Sequence, residues 1–250
     1  MTIREATKAR WEEMKTKSRK ERWDYFKYYY GATAITIALA LILAVSLIKI
    51  LLFPTVPSFY CLFMNSMETN VTQSYLEDFV VSQGQDIKKH PVYTDFTVFV
   101  SEDTSVEEFD ALEKMGAVIA AGEVDMLAAH KELFVSMGYN DYLTDLRTQL
   151  DEETLANLAE ERRLIYIDQN IIDTMIDQAF ESLDFRIEFP EENAPETMID
   201  PVPVGVILDP ESEFSQSIYV IGDTPVLGIS CTTQRPELSK AFLYHALELN

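Results

Sequence analysis

The sequence predicts an α/β protein with one transmembrane helix, and three observations carry that reading. Residues 31–53, GATAITIALALILAVSLIKILLF, run for 23 positions with a single charge, Lys49. Residues 54–250 alternate strand-length apolar runs with helical stripes, and the β-α-β-α-β order at their start implies a mainly parallel sheet joined by right-handed crossovers. Charge divides at the apolar run: residues 1–30 hold nine Lys and Arg against five acids, and residues 54–250 hold ten against 37. Three segments follow, a basic segment 1–30 with an aromatic belt, a transmembrane helix 31–53, and an extracytoplasmic α/β domain 54–250.

At about 1.5 Å per residue, 23 residues cross a hydrocarbon core of about 30 Å, and in lipid only a helix satisfies its own backbone. Lys49 lies near one end, where a long side chain snorkels to the headgroups. The cationic flank keeps the N-terminus in the cytoplasm, and Trp23 to Tyr30, WDYFKYYY, supplies the interfacial rings of that face. The first partner is therefore the lipid bilayer, in a cell membrane crossed once. A cleaved leader is the competing reading, because Ala44-Val45-Ser46 is a small-x-small triplet, but cleavage there would leave a chain beginning LIKILLF.

The segment after Phe53 is long enough for one compact domain. Its net charge of −27 repels phosphates, which excludes nucleic acid as a partner. Acidity of this kind keeps an exported domain soluble; a cationic ligand is the sharper alternative. Cys61 and Cys231 both fall in this domain, within apolar runs, so a disulfide and two buried thiols both remain open.

In chain order, residues 1–22 are charged, a surface helix or loose tail able to bind anionic lipid at about 1 kcal/mol per nearby cation. Pro54 and Pro57 end the apolar helix. Phe59-Tyr60-Cys61-Leu62-Phe63-Met64 suits a strand buried on both faces. Asn70 and Gln73 resemble a capping box, after which Tyr75, Leu76, Phe79 and Val80 form a helical stripe that stops at Gly84. Tyr93 to Val100 reads as a strand, Thr104 to Gly122 as a capped helix, and Val124 to Ala129 as a third strand. Residues 131–163 are helical, broken near Gly138-Tyr139-Asn140 and restarted at Asp151. Leu164 to Ile167 is a strand, Ile171 to Ala179 a helix, and Phe185 to Phe189 alternates as an edge strand would. Pro190 to Pro203 reads as a loop, and Val204 to Leu208 as a core strand. Ser217 to Ile221 and Val226 to Cys231 suggest a hairpin turning through Gly222-Asp223-Thr224-Pro225, before a last helix after Pro236.

Two pieces of this chain resemble extracellular solute-binding proteins, and a third resembles single-pass membrane proteins. Ile119-Ala120-Ala121-Gly122-Glu123-Val124-Asp125-Met126-Leu127, with Leu133 to Gly138 and Tyr142 to Leu146, is similar to that family's "aaGevDv … f..la..G … l.dL" run. Val226 to Ser230 with Arg235 to Leu243 is similar to its final strand and helix. The aromatic belt with one transmembrane helix looks like that of single-pass Firmicutes-type membrane proteins. The resemblance implies a periplasmic-binding-protein-like domain with a ligand cleft. This chain departs from the family in being short and in lacking a lipobox before Cys61.

In open parallel sheets ligands sit beyond the carboxyl ends of the strands. The candidates there are Asn65, Ser66, Ser101, Glu102, Asp103, His130, Thr232, Thr233 and Gln234, each of which also suits a cap or turn. Asp125 starts its strand and reads as structural. His90, His130 and His245 show no HExxH spacing, and neither a nucleophile elbow nor a P-loop occurs. Asp168-Gln169-Asn170 fails as a calcium loop, because Ile172 replaces an oxygen ligand and Asp173 the turn glycine. The expectation is a membrane-anchored binding or sensing module with no cofactor or metal and no catalytic role, its partner a small solute. The alternative is a scaffold for a neighbouring membrane protein.

Overall fold

The computed structural model describes residues 16–52, 56–100, 106–178, 189–222 and 224–249, and the chain divides into a unit ending at Thr55 and a unit beginning at Val56. The first unit is helix α1, Arg19–Leu52. Ser18 and Glu21 start it as a reciprocal pair: the Ser18 N–H donates to Glu21 Oε2 at 2.8 Å, and the Glu21 N–H to Ser18 Oγ at 3.4 Å. Apolar side chains stand exposed all round it, among them Ile35, Ile42, Leu43 and Leu47, so it has the length and composition to cross a membrane.

The second unit is a three-layer α/β domain around a mixed six-stranded sheet. Its elements are β1 (Phe59–Met64), β2 (Ser66–Glu68), α2 (Thr72–Ser82), β3 (Val92–Val98), α3 (Val106–Ala120), β4 (Met126–His130) and α4 (Lys131–Tyr139), followed by α5 (Glu152–Glu160), β5 (Leu164–Asp168), α6 (Gln169–Gln178), β6 (Pro201–Ile207), α7 (Glu213–Ser217), β7 (Ile218–Val220), β8 (Pro225–Ile229) and α8 (Pro236–Ala246). The order across the sheet is β3-β1-β4-β8-β6-β5. The pairings β3-β1 and β1-β4 are parallel, as the two helical crossovers demand, and the other three are antiparallel. The expectation of a mainly parallel sheet therefore holds only for the half built from the first three long strands.

Every residue of β1 is buried, and alternation sorts them. Phe59, Cys61 and Phe63 face one layer with Leu76, Phe79, Phe214 and Phe242, while Tyr60, Leu62 and Met64 face the other with Met115, Ile119, Phe134 and Met137. Gly84 and Gly122 end α2 and α3 at φ +79° and +72°, and each N–H returns to a carbonyl of the last turn. Gly205 and Gly228 meet across β6 and β8, by the register that pairs Val206 with Leu227, and leave a trough for the Phe134 ring.

Four expectations change. Helix α2 starts without the Asn70/Gln73 box: Thr72 Oγ1 accepts the Thr69 N–H, and the Gln73 amide turns to Glu77 and to the Val92 carbonyl. The Pro190–Pro203 loop is shorter than expected, because β6 already begins at Pro201; Pro203 falls at a register shift, where the Tyr166 N–H donates to Glu192 instead. The hairpin does not form. β7, with only one residue fully buried, pairs with β2 in a separate ribbon, whereas β8 is buried along its whole length and inserts between β4 and β6. Cys61 and Cys231 are both free thiols, the first buried and the second exposed. Residues 185–188 of the expected edge strand lie outside the described residues.

Candidate functional site

The parallel strands bring Asn65 and Ser66, after β1, beside His130, which ends the neighbouring β4. Connections leave these two strands in opposite directions, which is where a doubly wound sheet opens a crevice. Here the chain fills that crevice itself. The Ile221 N–H donates to the Asn65 carbonyl at 2.8 Å, and a Cβ placed on Gly222 would lie 3.9 Å from His130 Cβ. The Asn65 amide is spent on the exit of β3: its Nδ2 donates to the Val100 carbonyl at 2.8 Å and its Oδ1 accepts the Val100 N–H at 2.7 Å. That pair of hydrogen bonds holds Asn65 at φ +46°. Ser66 is fully buried and donates to the Met64 carbonyl. His130 Nδ1 is buried with no hydrogen-bond partner among the described residues. Ser101, Glu102 and Asp103 lie outside the described residues.

Thr232, Thr233 and Gln234 do not join this group. β8 runs antiparallel to β4, so its carboxyl end reaches the opposite edge of the sheet. There Thr233 Oγ1 donates to Asp125 Oδ1 at 2.6 Å, Thr232 Oγ1 donates to the Ile119 carbonyl, and Gln234 Nε2 lies 3.5 Å from the Ala121 carbonyl. Asp125 is fully buried at the centre of a clasp: Arg235 Nε lies 2.8 Å from its Oδ2, and the Tyr60 N–H donates to the same oxygen at 2.9 Å. The rest of the Arg235 guanidinium donates to the carbonyls of Pro57 and Glu123. Burial pushes the Asp125 carboxyl up, against the lowering by Thr233, Arg235 and the Tyr60 N–H. These partners leave Asp125 a structural group.

A half-open groove of about 490 Å3 lies elsewhere, between α2, α7 and the end of α8. Its floor is aromatic. Tyr75 and Phe79 sit one turn apart on α2, and the His245 ring stacks on both with centroids 5.2 Å away. Phe79 in turn packs edge-on against Phe242 at 5.1 Å, which anchors the floor in the core. Asp78 and Glu213 stand on the rim, and neither carboxylate has a hydrogen bond or ion pair with a described residue. The Glu213 N–H donates to Glu248 Oε1 at 3.0 Å and fixes the start of α7 against the chain after α8. Burial, with Glu213 and Glu248 nearby, pushes the Tyr75 phenol up.

The sequence carried part of this groove as an ordinary helical stripe, Tyr75 and Phe79. Its remainder went unseen, because α7 is only five residues long and residues 210–216 show no periodicity to read. A smaller cavity of about 190 Å3 lies between α3 and α4 with Met64, Met115 and Met137 on its walls. Among the described residues no cluster of His, Cys, Asp and Glu is arranged to hold a metal. Comparison with known protein families, curated proteins and solved structures finds no match to this chain.

Proposed function

We propose that this chain is a single-pass membrane protein, N-terminus in the cytoplasm, whose solute-binding-protein-like α/β domain works outside as a binding or sensing module. The observation that carries the reading is the α2–α7–α8 groove. Its volume of about 490 Å3 lies within the range of small-molecule sites, and residues from three elements, Tyr75, Phe79, Glu213 and His245, converge on it. Topology supports this place over the strand ends, where Asn65, Ser66 and the Ile221–Gly222 crossing already use one another.

Thermal unfolding of the full chain in lipid nanodiscs, against a broad panel of small solutes, tests this. A ligand at a hundred times its Kd adds about 2.7 kcal/mol to the native state. The expected result is a concentration-dependent rise in Tm that disappears in Ser74→Trp, which fills the groove from an exposed α2 position. A rise that survives Ser74→Trp places the site elsewhere, and no rise with any solute removes the small-solute reading.

One observation favours a scaffold as the second reading. Met67 and Tyr219 are cross-strand partners on the outer face of the β2–β7 ribbon, with Ile221 two residues on, and all three are exposed. Photo-crosslinking from position 219 in native membranes tests it: one discrete adduct lost in Met67→Asp supports docking there, and a diffuse pattern does not.

A further inference from the structure

We propose that the α2–α7–α8 groove takes a small organic cation, a ligand carrying an ammonium or guanidinium group on an apolar body. The inference deepens the binding-module reading and rests on it. Three features of different origin agree on the sign of the ligand. The floor exposes ring surface of half-buried Tyr75 and of His245, which is stacked over it and over the buried Phe79, and a π-face attracts a cation within about 6 Å. The rim carries two carboxylates, Asp78 and Glu213, with no partner among the described residues and no Lys or Arg beside them in the lining. The 11-residue helix α8 delivers its carboxyl end to the groove at His245, and a helix carboxyl terminus favours positive charge.

The same features act against other ligands. An anion would face Asp78, Glu213 and Glu248 together with the helix end. A hydrated metal ion would forgo the aromatic floor, which supplies no hard oxygen ligands beyond the Tyr75 hydroxyl. An ammonium or guanidinium with methylene or methyl groups uses both halves, its carbons on the rings and its charge at the rim. The groove is half open, so the carboxylates act through water and the affinity expected is modest.

Isothermal titration of the full chain in nanodiscs with choline, agmatine and the neutral choline isostere 3,3-dimethylbutan-1-ol decides it. The expected outcome is a Kd of about 1 mM or tighter for at least one cation, with no measurable heat from the neutral isostere. Asp78→Asn with Glu213→Gln should weaken that cation at least about fivefold, and Tyr75→Leu about threefold. Ser74→Lys places a tethered ammonium in the groove and should block binding. The proposal is overturned if neither cation binds, if the isostere binds as well as choline, or if equal ionic strength of sodium chloride reproduces the signal. It also fails if the double variant binds as tightly as the parent. A groove that binds the isostere, or another neutral solute blocked by Ser74→Trp, overturns the cation and leaves the binding module standing.

Discussion

Arg235 and Asp125 form a clasp that joins three distant pieces of chain at the amino edge of the sheet, Pro57–Tyr60, Glu123–Asp125 and the start of α8. Removing one partner of a buried pair leaves the other charge uncompensated, which costs more than the pair itself contributes. Arg235→Met should therefore destabilise the domain by about 3 kcal/mol, and Asp125→Asn with Arg235→Met by less than the sum of the two single changes. Urea unfolding of the full chain in nanodiscs, followed by near-ultraviolet circular dichroism, reads both. Tyr60 gives a second prediction at this scale. Its phenol is held at about 12 by burial first and by Asp95 second, and its hydroxyl donates to Asp95 Oδ2 at 3.3 Å. Folding thus favours the neutral phenol: the contribution is complete below the ordinary tyrosine value near 10 and is lost as pH rises toward 12. Tyr60→Phe should flatten the fall of stability over that window, as alkaline urea titrations would show. The sequence offered the place of Asp125 at a strand start but not its partner, since Arg235 lies 110 residues away and only the antiparallel run of β8 brings it back.

Element by element, the strong periodic signals were legible and the short ones were not. β1, α2, α3, β4 and α8 fall where their apolar patterns place them, because a six-residue apolar run or a four-residue stripe admits few alternatives. The β7–β8 hairpin failed for a physical reason: a Gly-Asp-Thr-Pro connection permits a turn but does not force its flanks to pair, and a fully apolar strand gains more between two neighbours than at an edge. Gly228 tests how tightly that insertion is packed. A methyl there would meet Phe134 Cζ at 2.6 Å and the Val204 carbonyl at 2.7 Å, so Gly228→Ala should cost about 2 kcal/mol, measured by the same urea midpoint. Helix α1 supplies the other element-scale prediction. Its 34 residues span about 50 Å, more than a hydrocarbon core, so the proposed single-pass arrangement puts its first turns among or beyond the headgroups. Trp11 and Trp23 are the only tryptophans in the sequence, and both precede the apolar run. Emission should therefore report this end alone: vesicles with about one-third anionic lipid should shift it to the blue relative to zwitterionic ones, and about 0.5 M salt should reverse the shift.

The whole molecule is an apolar helix followed by one α/β domain, and that much was written in composition, charge and periodicity. The candidate groove was not, because its three walls come from residues 71–82, 213–217 and 245, which no local pattern relates. The same distance governs assembly. β8 follows every other strand in the chain, yet it lies between β4 and β6. Deleting residues 225–229 should therefore abolish the cooperative unfolding transition rather than lower its midpoint, seen as a broad, featureless melt. In a growing chain, 99 residues separate the end of β4 at His130 from the end of β8 at Ile229. At about 5–20 residues per second, β4 waits about 5–20 s with a bare hydrogen-bonding edge. During that interval the nascent chain is a template for any passing strand, so its yield in the cell depends on the speed of the ribosome and on whatever shields that edge.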